Sequence, residues 1–166
     1  MTATIPARPT LYKGIKMRSR LEADYAAELD RWRVHWGYEP ECFASEAGQW
    51  LPDFGYSFGS EPFAVFCEIK PAEPLLREHI PGSIGFVQHV DALLERMTIA
   101  WASRPDACLE LIFWQYGGPE YLMITSGHQG QAWVVTTGHR DIPTLLWTGM
   151  GQIGKCCDRK PEVESA

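Results

Sequence analysis

Apolar and polar positions along the chain follow two periods. From about Met17 to Val34, Leu21, Tyr25, Leu29 and Trp32 recur at helical spacing. Ser19 stands at its start as an N-cap, with Glu22 three residues later in capping-box spacing. A second long helix is expected from about Ile84 to Ser103, with Val87, Val90, Leu94, Met97 and Trp101 forming its core-facing stripe. Between and after these helices the period changes to two. Trp50–Phe54 and Phe63–Lys70, separated by a Gly-rich turn, read as the strands of a central hairpin. Alternation puts Phe63, Val65, Cys67 and Ile69 on one face and Glu68 and Lys70 on the other, the last two roughly 7 Å apart.

The rest of the chain is punctuated by turn residues. Residues 1–12 are expected to be an extended arm, with the N-terminal arm as a whole assigned to 1–16. Trp36–Pro40 reads as a short strand or extended link and Ser45–Gln49 as a polar turn. A short turn of helix is expected at Leu75–His79, followed by a stop at Pro81-Gly82-Ser83. Cys108–Trp114 is a strand, and Tyr121–Thr125 with Ala132–Thr137 forms a further hairpin joined through Gly127–Gly130. Thr144–Thr148 adds one helical turn, and the tail 149–166 is small, polar and expected to be frayed. The order of elements predicts an α/β (α+β) fold, a mixed central β-sheet flanked by helices, with residues 17–148 as its single domain.

Composition narrows the class. At 166 residues the chain can bury a sizeable core, and 45% hydrophobic with 22% charged residues is ordinary for a soluble globular protein. No apolar run approaches the roughly 20 residues that span a bilayer, so no membrane role is expected. Met1–Pro6 lacks the apolar core of a secretory signal. Five cysteines without a C-x-x-C pair argue against a disulfide framework or zinc knuckle and favour a reducing cytoplasm.

Net charge is −6, yet residues 1–20 carry Arg8, Lys13, Lys16, Arg18 and Arg20 and no acid. This segment is either a solvated basic arm or a phosphate contact, the latter through Lys13, Lys16, Arg18 and Arg20.

The chemistry concentrates around the central hairpin. Hairpin pairing can bring Asp53 beside Glu68, and two hard oxygen ligands with Lys70 nearby suit Mg²⁺ and a group that positions water. The bland alternatives stay open. Asp53 can cap a turn after Pro52, Glu68 and Lys70 can form a surface ion pair, and Glu22 can serve only its capping box. Gln88 near the start of the second helix is either an exposed side chain or a further site residue. A Cys157–His139 nucleophile finds little around it to activate the thiol, and His128 and His139 fall in Gly-flanked loops.

Pro52-Asp53, fourteen residues, then Glu68-Ile69-Lys70 matches PD-x(n)-(D/E)-x-K, and a helix bearing Glu22 precedes it. With Tyr12–Ala23, Tyr38–Glu41, Leu51–Phe54 and Glu68–Pro71 in this order, the chain resembles the PD-(D/E)XK nuclease superfamily over about residues 12–125. It is similar to small phage and bacterial members and, more distantly, to the N-terminal nuclease domain of Tn7-type transposition endonucleases. The resemblance implies a restriction-endonuclease-like fold and Mg²⁺- or Mn²⁺-dependent hydrolysis of DNA phosphodiester bonds by an endonuclease. It implies Asp53, Glu68 and the Ile69 backbone carbonyl as metal ligands, with Glu22 binding directly or through water. Lys70 would orient or deprotonate the attacking water. The exonuclease branch's Gln-x-x-x-Tyr motif is not matched, since Gln88 is followed by Ala92. The cytoplasm of a bacterial or phage-infected cell is the expected compartment. The overall acidity suggests a homodimer or a protein partner that delivers DNA, and keeps a non-catalytic nuclease-like binding or assembly module as the alternative.

Overall fold

The computed structural model describes residues 7–57, 62–72, 84–114, 121–126, 133–137 and 143–147. Its first element is a hairpin. β1 (Thr10–Tyr12) pairs antiparallel with β2 (Ile15–Met17), and Lys13 and Gly14 make the two-residue turn. Both turn residues have positive φ, 46° and 81°, as the tight turn favoured by twisted hairpins requires. Residues 10–17 thus fold back on themselves, where an arm leading straight into the helix was expected.

Helix α1 spans Arg20–Arg31, shorter at both ends than the expected 17–34 because Met17 ends β2, and it begins at the expected cap, Ser19. Ser19 has extended dihedrals, its side chain accepts from the Glu22 N–H, and Glu22 reaches back to the cap backbone. Tyr25 and Leu29 are buried, and Leu21 and Trp32 pack at the edge of the same cluster. β3 (His35–Tyr38) follows, then a small separate hairpin of β4 (Phe43–Ser45) and β5 (Gly48–Trp50). The apolar run Trp50–Phe54 is therefore divided. Trp50 ends β5, and Phe54 begins β6 (Phe54–Ser57).

β6 pairs antiparallel with β7 (Val65–Pro71), as the central hairpin predicts. Helix α2 (Ile84–Met97) runs into a 3-10 segment at Thr98–Ala102. β8 (Cys108–Trp114) lies parallel to β7, and β9 (Tyr121–Ser126), β10 (Trp133–Thr137) and β11 (Pro143–Trp147) continue antiparallel. The result is a mixed seven-stranded sheet, ordered β11-β10-β9-β8-β7-β6-β3, in an α+β arrangement. Of Thr144–Thr148, expected as a helical turn, the described residues 144–147 lie in the strand β11. Pro143 is tolerated at the first position of an edge strand.

Among the described residues, α1 and α2 cover opposite faces of the sheet. On the α1 side, Val65, Cys67 and Ile69 of β7 and Ile112 and Trp114 of β8 pack with Tyr25, Ala26 and Leu29. On the α2 side, Phe66, Leu109, Leu111 and Phe113 meet Val90, Leu94 and Met97. Phe63 departs from the expected alternation. It precedes β7 and packs against the α2-side cluster. Its ring lies over Gly37 and Gly55, paired residues of β3 and β6, where a Cβ on Gly55 would come within 2.9 Å of it.

Among the described residues no helix is long and apolar enough to cross a membrane. The expected turn at Leu75–His79, the 127–130 junction, His128, His139, Cys157 and the tail lie outside the described residues.

Candidate functional site

Strand pairing builds the site. Phe54 pairs with Cys67, so extending the antiparallel register by one residue sets Asp53 opposite Glu68. The ladder is anchored there by the Asp53 N–H donating to the Cys67 carbonyl at 2.9 Å, while the Asp53 carbonyl accepts from the Glu39 N–H at 2.9 Å. Glu39 has φ 44°, a left-handed conformation uncommon for a residue with a side chain. Asp53 is only 4% exposed, and its Oδ2 accepts the Ile69 N–H at 2.7 Å.

Alternation along β7 puts Glu68 and Lys70 on the face of Phe66, towards α2. Glu68 is buried at 8% exposure. The Trp50 indole N–H donates to its Oε2, and Lys70 Nζ lies 2.6 Å from its Oε1. Glu22 enters from α1. Its Oε2 accepts from the Tyr38 hydroxyl at 2.7 Å, the Arg18 N–H at 3.0 Å and the Ser19 N–H at 3.3 Å. The carboxylate that closes the capping box thus also takes the Tyr38 hydroxyl and lies near Arg18.

Arg18 ties these acids together. Its Nη2 pairs with Asp53 Oδ1, its Nε lies 2.8 Å from Glu39 Oε1, and the same Nε lies 4.0 Å from Glu22 Oε1. Among the described residues, the four carboxylates of Glu22, Glu39, Asp53 and Glu68 meet two cations, Arg18 and Lys70, so the acids outnumber their counterions. That imbalance is felt at Asp53. Burial above all pushes its pKa from 3.8 up to about 7, and the charges of Glu68 and Glu22 push the same way. The Ile69 N–H and Arg18 pull against them without prevailing.

No family model, curated protein or solved structure matches the chain.

The site residues named from the sequence are distributed as follows. Asp53, Glu68, Lys70 and Glu22 come to one region, on the α1 helix and the β6–β7 ladder. Ile69 contributes its backbone N–H to Asp53. Gln88 is exposed on α2. Among the basic residues, Arg18 joins the acids, Lys13 pairs with Asp30 at 2.8 Å, and Lys16 and Arg20 are exposed. Arg18 as an acid-bound group, Tyr38, Glu39 and Trp50 were not foreseen. The one readable signal was that Arg18 directly precedes the N-cap Ser19 and stands four residues before Glu22.

Among the described residues no three His, Cys, Asp or Glu side chains gather as a metal-holding group. The acids are paired instead with Arg18 and Lys70. Their chemistry still suits a hard divalent cation: carboxylate oxygens that outnumber the cations meeting them, one of them on a buried acid whose charge is poorly compensated.

Proposed function

We propose that this protein is a metal-dependent nuclease of restriction-endonuclease-like type that hydrolyses DNA phosphodiester bonds. The observation that carries the reading is Asp53, immediately before β6, set opposite Glu68 of β7, with Lys70 held on Glu68 and the Asp53 pKa raised to about 7 by burial and neighbouring acids. The mixed sheet with a helix on each face supports it at the level of fold class.

Asp53 and Glu68 are the residues that would hold Mg²⁺ or Mn²⁺, with Glu22 and the Ile69 carbonyl as further candidate ligands. Such an ion, when bound, polarises a phosphoryl oxygen and lowers the pKa of a ligated water. Lys70 supplies a positive charge 2.6 Å from Glu68 Oε1, and its remaining N–H groups can orient a water or meet a phosphate oxygen. Trp50 fixes the orientation of Glu68, and Tyr38 fixes that of Glu22. DNA is the proposed partner, reached through a homodimer or a delivering protein, because a chain of net charge −6 has little general attraction for phosphate.

The test is incubation of the purified protein with plasmid and oligonucleotides in Mg²⁺, Mn²⁺ or EDTA, alongside Asp53→Ala and Lys70→Ala. Cation-dependent cleavage by the wild type alone is the expected result. Cleavage at the wild-type rate in either variant would place the activity elsewhere. A second reading, a non-catalytic binding module, is favoured by the pairing of the acids with Arg18 and Lys70. DNA binding without cleavage under every cation condition would select it.

A further inference from the structure

We propose that Arg18 is a built-in counterion that competes with the divalent cation for Asp53 and so sets how readily the site loads. This rests on the metal-dependent reading of the site and deepens it. The Asp53 carboxylate has one oxygen, Oδ2, committed to the Ile69 N–H at 2.7 Å. Its other oxygen, Oδ1, faces Arg18. A cation ligated at Oδ1 therefore meets a guanidinium already in contact with the same atom. Two like charges that close repel strongly where solvent screening is weak, and the Asp53 side chain is only 6% exposed.

Arg18 is built to give way. Its side chain is 57% exposed, so it can swing outward without crossing the core. Glu39 provides a second carboxylate, 2.8 Å from Arg18 Nε, with 30% of its side chain exposed. The backbone hydrogen bond from Glu39 N–H to the Asp53 carbonyl and the left-handed φ at Glu39 keep this second holding point beside the first. A guanidinium released from Asp53 thus retains a partner at the rim. The arrangement offsets part of the acids' charge before the cation arrives and raises the cation concentration needed to load them.

The experiment measures Mn²⁺ binding directly, by electron paramagnetic resonance of free Mn²⁺ and by calorimetry, without DNA. Wild type, Arg18→Gln, Arg18→Lys and Asp53→Asn are compared after EDTA treatment, each checked for folding by circular dichroism. Arg18→Gln is expected to bind Mn²⁺ more tightly by roughly 5–150-fold, the size usual for an interaction free energy between two bound groups. Arg18→Lys keeps the charge but lacks the fork that spans Asp53 and Glu39, so its affinity should fall between the two. This variant carries the test should Arg18→Gln fail to fold. Wild-type binding that Asp53→Asn abolishes, with no gain in either Arg18 variant, overturns the counterion role and leaves the metal site standing. Absence of Mn²⁺ binding in every variant overturns the metal site itself, and this inference with it.

Discussion

Asp30 and Asp53 both accept hydrogen bonds from neighbouring elements, and their surroundings drive them in opposite directions. Asp30, near the end of α1, takes the Tyr12 hydroxyl, the Trp36 indole N–H at 3.0 Å and Lys13 Nζ at 2.8 Å. Lys13 first, then Tyr12, lower its pKa from 3.8 to about 2. Asp53 also has a strong cation and an N–H, yet burial beside Glu68 and Glu22 lifts it to about 7. The difference lies in the company of like charge. Asp30 fastens the β1–β2 hairpin and β3 to the helix, with three donors from these two elements and its own charge matched. Asp53 is kept buried among acids that its partners do not balance, an arrangement a fold has no need of for stability alone.

The sharpest way to break this contrast is to neutralise each aspartate in turn. Asp53→Asn should reduce Mn²⁺-dependent cleavage to background, whereas Asp30→Asn should leave it in place. Lys70→Ala should lower the cleavage rate about 10²–10⁴-fold, the usual contribution of a positioned acid–base group, while Mn²⁺ still binds. Rates on a labelled duplex, with Mn²⁺ binding measured in parallel, decide both. Equal loss of activity from both aspartate variants would erase the distinction between fastener and site.

The two acids should also titrate stability in different windows. Asp53's folded pKa lies above its unfolded value, so its contribution is complete below about pH 4 and is lost as pH rises towards 7. A shift from 3.8 to about 7 corresponds to at most about 4 kcal/mol. Asp30 is the reverse, contributing above about pH 4 and losing that contribution as pH falls towards 2. Denaturation of EDTA-treated protein at pH 4, 5.5 and 7 should show a falling stability that Asp53→Asn flattens. Saturating Mg²⁺ should restore more stability at pH 7 than at pH 5.5. A slope unchanged by Asp53→Asn would assign it to other groups.

Trp50 makes a smaller and more local prediction. Trp50→Phe preserves a ring against Phe43, whose centroid lies 5.9 Å away, but removes the N–H that Glu68 Oε2 accepts. Leaving that buried oxygen without its donor should cost about 1–3 kcal/mol. Mn²⁺ affinity should fall roughly 10–100-fold, as when a ligand loses the group that orients it. Thermal melting and Mn²⁺ titration read the two effects separately. A variant with unaltered affinity would show that Lys70 alone suffices to hold Glu68.

Much of the frame was legible because single-element signals agreed. Cys108–Trp114 is bounded by turn residues and is one strand from end to end. Ser19 and Glu22 announced the start of α1, and the central pairing followed from two apolar runs about a turn. The β1–β2 hairpin was hidden because Lys13 occupies a left-handed turn position that Asn or Gly usually marks. β11 was hidden because its five residues carry no alternation strong enough to tell a strand from a helical turn. At the site, Asp53, Glu68 and Lys70 could be read because one ladder joins them. Arg18 and Trp50 could not, since their partners lie 35 and 18 residues away across other elements. Trp50 reads as core, and it is core. Only the indole N–H has a second task.

Asp30→Asn should be the mildest of these changes, and its locality is the informative part. The amide keeps the size of the carboxylate and one acceptor oxygen, but it loses the charge that attracts Lys13 and strengthens the Tyr12 contact. A loss of about 1–2 kcal/mol is expected, because Asp30 is partly open to water and its bonds are screened accordingly. The hairpin should feel it first. Hydrogen exchange at Tyr12–Met17 should quicken while β7 and β8, buried between the two cores, keep their protection. If exchange instead rises along β7 with that of the hairpin, the fastening at Asp30 and the ladder that carries Asp53 form one cooperative unit. Stability and site geometry could then not be altered independently in this fold.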